Sequence, residues 1–307
     1  MKKVVVILPT YNGGKYLEES LDSLYNQTYP NIEIYTRDDG SSDNTVEIIK
    51  NYAKKKVKGR KITIVPNGGK SLKCPDCFTK LLEIAGDGDY YCYCDQDDVW
   101  LPNKIEAAVK AIEQYDSNEP TLHFGAYDYY TSDLKFMNHS PKIPANVSLR
   151  NILYDYWPLG FNITFNKALY DVVFNNLPKR IYYHDCFVAQ VAAGVGNFIY
   201  SSTPSVKYRR QEQAVTYSNH SKFSLFVWRI KRFFGSNNDN LIQLKKILEE
   251  YFVIFDEYLS EYDKKILNIF TVDNTKNYFR RIFFPHRLRL KLIDEIGLRL
   301  LFVFKKL

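Results

Sequence analysis

The stretch Tyr90-Tyr-Cys-Tyr-Cys-Asp-Gln-Asp-Asp-Val-Trp-Leu-Pro102 runs from apolar residues into three carboxylates, Asp95, Asp97 and Asp98. In an extended segment alternate side chains share a face, so Asp95 and Asp97 point one way and Asp98 the other. Carboxylates this close repel one another unless solvent or a cation separates them. Oxygen donors of this kind suit Mg2+ or Mn2+, ions that also bind phosphate oxygens. The chemistry on offer is a metal–diphosphate site; the plain alternative is a solvated acidic turn.

Such a site needs a rigid platform, and the surrounding pattern supplies one. Residues 3–8, Lys-Val-Val-Val-Ile-Leu, form a continuous apolar run, the mark of a parallel strand buried on both faces. Pro9-Thr-Tyr-Asn-Gly-Gly14 breaks it, and Leu17, Leu21 and Leu24 follow at helical spacing. Ile32–Thr36 reads as a second strand. It ends in the polar turn Asp38–Thr45, where Asn44 and Glu47 have the spacing of a capping box. Lys61–Val65, a helix near Phe78–Ala85, the Tyr90–Cys94 strand and a helix opened by Pro102 complete an alternating order. Strands alternating with helices imply a doubly wound α/β sheet, with ligands at the carboxyl ends of its strands. That arrangement gathers Thr10, Tyr11, Asp39 and Asp97 on one edge.

From residue 121 the pattern loosens. Strands are expected at 122–130, 160–165, 198–200 and 206–208, and helices at 148–155, 183–193 and through most of 222–307. The turn from Gly235 to Asn240 is the clearest boundary in the tail.

Charge is distributed unevenly. The chain of 307 residues has a net charge of +7. Residues 1–221 are neutral, residues 222–234 carry +4, residues 235–275 carry −4 and residues 276–307 carry +7. A basic tail with interspersed Phe and Leu suits an anionic membrane surface better than nucleic acid. Leu292, Ile296, Leu300 and Val303 fall on one helical face, fit either for a lipid interface or for packing on the protein or a second subunit. Met1-Lys-Lys runs straight into a strand, so no signal peptide is expected, and no apolar run reaches membrane-spanning length. Cys74, Cys77, Cys92, Cys94 and Cys186 are then expected as reduced thiols. Cys74-x-x-Cys77 with Cys92-x-Cys94 has zinc-like spacing, but two cysteines on one face of a central strand read better as small core residues.

Taken in order, Val-Ile-Leu-Pro9-Thr-Tyr-Asn12, Gln27-Thr-Tyr-Pro30, Asp38-Asp-Gly-Ser-Ser-Asp43 and Asp95-Gln-Asp-Asp-Val-Trp-Leu-Pro102 resemble the family 2 glycosyltransferases of the GT-A fold. His184-Asp185 and Tyr208-Arg209-Arg210 resemble its rhamnosyltransferase-like branch, and the likeness covers roughly residues 3–215. Gln211 stands where that branch continues to a histidine, and Lys73-Cys-Pro-Asp-Cys-Phe78 where it carries an asparagine.

The resemblance implies a mixed, mostly parallel sheet flanked by helices. A catalytic domain would span residues 1–221, with a nucleotide-binding half to about 115 and an acceptor-binding half at 116–221. A helical, basic extension would span 222–307. It implies an inverting transfer from a nucleotide-diphosphate sugar, a UDP- or dTDP-sugar, to a glycan or lipid-linked glycan in polysaccharide biosynthesis, with Mn2+ or Mg2+. Pro9, Thr10, Tyr11, Asn12 and Asp39 would hold base and ribose; Asp95 would meet the ribose or the metal, and Asp97 the metal. Arg209 and Arg210 would pair with phosphate, Asp185 would be the general base, and Trp157, Gly160, Asp98 and His184 would meet the acceptor. The protein would act in the cytoplasm at the inner face of a bacterial membrane, bind no nucleic acid and possibly form homo-oligomers. Nucleotidyl transfer and non-catalytic glycan or nucleotide binding are the other readings these residues leave open.

Overall fold

The computed structural model describes residues 1–86, 88–144, 147–155, 157–178, 184–210 and 239–305. The opening runs form four parallel strands, β1 (Val4–Thr10), β2 (Ile32–Asp38), β3 (Arg60–Ile64) and β4 (Tyr90–Tyr93). They lie in the order β3-β2-β1-β4, with Val4 opposite both Ile32 and Tyr90. The sheet continues through β8 (Ile163–Asn166), β6 (Thr121–Tyr130), β9 (Asn197–Arg209) and β5 (Val99–Trp100), while β7 (Phe136–His139) pairs with β6. Pairs β4–β8, β6–β8, β5–β9 and β6–β7 are antiparallel and β6–β9 is parallel, so the sheet is mixed beyond β4.

Each face of the sheet has its own core, and this is why β1 is apolar at every position. Val4, Val6 and Leu8 pack with helices α1 (Leu17–Tyr25), α2 (Thr45–Lys54) and α4 (Lys104–Ile112). Val5 and Ile7 pack on the other side with α3 (Asp76–Ile84), α5 (Leu149–Ile152), α6 (Lys167–Asn175) and α7 (His184–Val195). The cysteines divide likewise, Cys92 and Cys94 in the first core and Cys77 in the second, so the zinc reading fails. The expected Asn44 cap is also absent. Asn44 precedes α2 without a capping bond, and Asp43 instead accepts the Thr45 amide at 3.1 Å.

The later expectations change in detail. The segment expected as a helix at 148–155 is helical only at Leu149–Ile152, and residues 160–162 form a 3-10 turn before β8. The two short late strands are one, β9, with register shifts against β6. The 235–240 boundary and Gln211 lie outside the described residues, apart from Asp239 and Asn240 at the start of the next helix.

The C-terminal helices are α8 (Asp239–Phe255), α9 (Glu261–Thr271), α10 (Thr275–Ile282) and α11 (Leu292–Val303). They share the second core: Tyr154 packs edge-on against Phe270 and Phe302, and the Tyr251 hydroxyl donates to the Gln190 carbonyl. The Leu290 amide donates to Asp155 at 2.7 Å. Among the described residues no helix is long and apolar enough to cross a membrane.

Candidate functional site

The loops that follow β1, β2 and β4 are bonded to one another. Thr10 donates to Asp38 at 3.1 Å, and Asp38 accepts the amides of Gly40 and Ser41, which closes the β2 turn. Asn12 takes a left-handed φ of 46°, a conformation asparagine tolerates. Its amide donates to Ser41 Oγ and its side-chain oxygen accepts the Ser42 amide, each at 2.8 Å. Gln96, between the two aspartates of the β4 motif, ties its loop to the one after β1. It accepts the Tyr11 amide and donates to the Tyr11 carbonyl, both at 2.9 Å. A Cβ at position 13 would lie 2.3 Å from Gln96 Oε1, so Gly13 is needed for this approach. With its backbone held, the Tyr11 ring stays 57% exposed at the rim.

Asp39 builds the facing wall. Its carboxylate is buried and accepts Ser71 Oγ at 2.6 Å and the amides of Leu72 and Lys73 at 2.8 Å, and Arg37 pairs with it. Burial pushes the carboxyl up, but Ser71, Leu72, Lys73 and Arg37 together outweigh it and hold the pKa at about 2. The Arg37 guanidinium also bonds the carbonyls of Asn67 and Lys70. One buried ion pair therefore shapes the whole 67–73 loop.

Between these walls lies a cleft of about 930 Å³, lined by residues that include Pro9, Thr10, Tyr11, Asp39, Lys73, Phe78, Asp95, Gln96 and Asp97. Asp185, in the first turn of α7, is near enough for its charge to act on Asp95 at the acidic end. Its Oδ2 accepts the Gly160 amide at 2.9 Å and its Oδ1 the Cys186 amide at 2.8 Å, so the carboxylate is aimed. Burial, then the charges of Asp97 and Asp185, push Asp95 up to about 7. His184 stacks on Phe78 with ring centroids 3.9 Å apart and meets Tyr93 edge-on. Burial lowers its pKa, which keeps the imidazole neutral. Gly160 lies against this pair; a Cβ there would be 3.1 Å from His184 Nε2.

Among the described residues no group of three or more His, Cys, Asp or Glu forms a ready metal cage. A magnesium-type site needs less, one or two carboxylates with substrate phosphates supplying the rest. Asp95 and Asp97 fit that open donor set, and their mutual repulsion is what a cation relieves.

Three expectations need correction. Arg209 is buried and fully engaged, so it has no free fork for phosphate. It donates to the carbonyls of Asp97 and Ser132, pairs with Glu19 and lies 4.4 Å above the Tyr16 ring. Asp98 does not meet the acceptor. It is wholly buried and accepts the Arg209 amide at 2.9 Å, and burial, Asp95 and Asp97 push its pKa well up. Together Asp98 and Arg209 fasten the acidic motif to β9. Trp157 is buried against Phe124 and borders a different cavity beside Arg287–Leu290. Arg210 lies over the Tyr129 ring at 4.6 Å.

Gln96, Arg37, Ser71, Lys73 and Phe78 escaped the sequence reading. Gln96 carries no charge, and nothing in its local sequence marks it as the residue that holds Tyr11. Ser71 and Lys73 belong to a polar loop with no periodicity.

An α/β sheet with acidic side chains at a strand's carboxyl end and a cleft between loops defines a ligand-binding class of α/β proteins. Residues 5–179 match the model of glycosyl transferase family 2, and the chain belongs to that family. It is 34% identical over 150 residues to an uncharacterized glycosyltransferase of Rickettsia felis, covering 47% of this chain and 23% of that protein. It is 32% identical over 134 residues to glycosyltransferase GlyG of Streptococcus pneumoniae, covering 43% and 42%. The chain thus spans less than half the length of either relative. Among solved structures, S. aureus TarS 1-349 in complex with UDP-GlcNAc superposes with a TM-score of 0.56 at 17% identity, covering 99% of this chain and 91% of that one. Mannosyltransferase PcManGT from Pyrobaculum calidifontis, in complex with GDP-Man and Mn2+, gives 0.52 at 19%, covering 91% and 71%. These likenesses establish the GT-A-type fold.

Proposed function

We propose that this chain transfers a sugar from a nucleoside-diphosphate donor to a hydroxyl of a glycan or lipid-linked glycan, with inversion, in cell-surface polysaccharide biosynthesis. The observation that carries the reading is the cleft walled by the Tyr11 and Asp39 loops and lined by Asp95 and Asp97 from the end of β4, with Asp185 of α7 near enough for its charge to act on Asp95. The nucleotide sugars bound by TarS and the mannosyltransferase, and the Mn2+ of the latter, support it.

The Tyr11 ring offers a face to the nucleotide base, and the Asp39 loop sets the depth of the pocket. Asp97, with Asp95, would hold Mn2+ or Mg2+, which when bound neutralises the diphosphate as it departs. Asp185 accepts the proton of the acceptor hydroxyl while that oxygen bonds to the anomeric carbon and the carbon–diphosphate bond breaks. Attack from the side opposite the leaving group inverts the centre. The amides of Gly160 and Cys186 fix the carboxylate, and neutral His184 packs beside it without adding charge.

Nucleotidyl transfer fits less well. A phosphate-cradling loop after β1 would need its amides free. Here the Gly13 amide donates to Thr45 and the Gly14 amide to Asp43, at 2.8 and 2.9 Å.

The test is a panel of nucleotide sugars in thermal shift with and without Mn2+, followed by assay of nucleoside-diphosphate release. A donor that stabilises the chain with Mn2+ and then yields nucleoside diphosphate is expected. Pyrophosphate release from a nucleoside triphosphate and a sugar phosphate would contradict the reading.

A further inference from the structure

Helix α11 has two apolar faces. The inner one, Leu298, Leu301 and Phe302, is buried in the second core. The outer one, Leu292, Ile296, Leu300 and Val303, is 62%, 51%, 42% and 41% exposed. Its spacing makes it one continuous stripe. On α10 and the residue after it, Lys276, Phe279, Arg280 and Phe283 repeat the pattern at i, i+3, i+4 and i+7, and all are exposed. Arg299 holds the two helices together by bonding the carbonyls of Arg281, Ile282 and His286.

Charge identifies the occupant. Arg287 and Lys291 stand exposed before α11, and Lys305 stands exposed after it. The two acidic residues of the segment lie off the stripe. Glu295 is buried, accepting the amides of Leu288 and Arg289 and pairing with Arg299, and Asp294 is partly buried on another side of the helix. A second copy of this face would bring two segments of +7 together, whereas an anionic lipid surface brings the opposite charge.

We propose that the α10–α11 pair docks the chain on an anionic lipid bilayer. The outer stripe enters the headgroup–acyl boundary and the flanking bases meet the headgroups. This goes beyond the transfer reaction and does not depend on which sugar is moved. Truncation would be a poor test, because it removes Leu298, Leu301 and Phe302 from the core.

The experiment is co-sedimentation of the whole 307-residue chain with vesicles of phosphatidylcholine alone and of phosphatidylcholine mixed with phosphatidylglycerol. Binding to the mixed vesicles only, weakening as salt rises, is expected. The paired variant Ile296→Ser with Leu300→Ser should lose at least about tenfold in partitioning. Lys291→Glu should lose about fivefold. Ile296 and Leu300 are about half exposed, so thermal melts of both variants should show a chain still folded at the assay temperature. Three results would each overturn the proposal: no binding to mixed vesicles, binding that the paired variant leaves unchanged, or a dimer in sedimentation velocity that the paired variant dissociates.

Discussion

Asp39 and Asp95 line the same cleft, and burial pushes both carboxyls toward protonation, but their neighbours differ in sign. Around Asp39 every close group is a donor: Ser71, the amides of Leu72 and Lys73, and Arg37. Around Asp95 the charged neighbours are Asp97 and Asp185. The first carboxyl is held at about 2 and the second rises to about 7. Burial alone therefore says little about what a carboxylate does. Satisfied by donors, Asp39 is a fixed charge around which a wall folds. Crowded by its own kind, Asp95 is a carboxylate whose repulsion a bound cation would relieve.

Asp185→Asn asks most of this contrast on the acidic side. It keeps the shape that receives the Gly160 amide and removes the basicity. Turnover should fall by about 10²–10⁴-fold with donor affinity nearly unchanged. A helix-end carboxylate would instead lose some stability and leave turnover close to normal. Steady-state transfer with a permissive acceptor, paired with a donor titration, separates the two.

Asp39→Asn probes the other wall. A carboxyl held at about 2 against an ordinary 3.8 contributes about 2 kcal/mol to folding. Because its folded pKa is depressed, that stability is present above pH about 4 and is lost as the pH falls toward 2. Urea melts at neutral pH should show the variant weaker by about that amount. The wild type should lose more stability than the variant between pH 4 and 2. Equal acid sensitivity would mean that the donors around Asp39 do not hold its charge.

Asp95→Asn should have the smallest effect, and of the opposite sign. Removing one charge from a crowded carboxylate group relieves repulsion, so the metal-free protein should melt higher at pH 8 than the wild type. A lower melting temperature would show that Asp95 is satisfied by donors after all, and the contrast with Asp39 would collapse.

How much of this was visible beforehand follows from how local each cause is. Of the four parallel strands β1 was the most legible, because a strand buried on both faces must be apolar throughout and Val4–Leu8 is, whereas β2 and β3 mix Glu33, Arg37, Arg60 and Lys61 into their runs. The acidic end of β4 was legible because its chemistry lies within four residues. Arg209 was misread because its partner Glu19 lies 190 positions away, and nothing near Tyr208-Arg-Arg210 discloses that pairing. The 67–73 loop stayed hidden because Asp39 dictates its form from more than 30 positions upstream. Trp157 was ambiguous because an aromatic ring serves a core as well as a sugar face. The tail was half legible. Its outer stripe was read from spacing, but the inner face of α11 gives the same apolar signal and packs on the protein.

Asp97 offers the most direct test of the claim that the cleft takes a cation together with a diphosphate. Nucleoside diphosphate should be titrated calorimetrically into the wild type and Asp97→Asn, each in Mn2+ and in EDTA. The wild type is predicted to bind at least about tenfold more tightly in Mn2+, and Asp97→Asn to bind equally weakly in both. Equal affinity of the wild type in Mn2+ and EDTA would contradict the account.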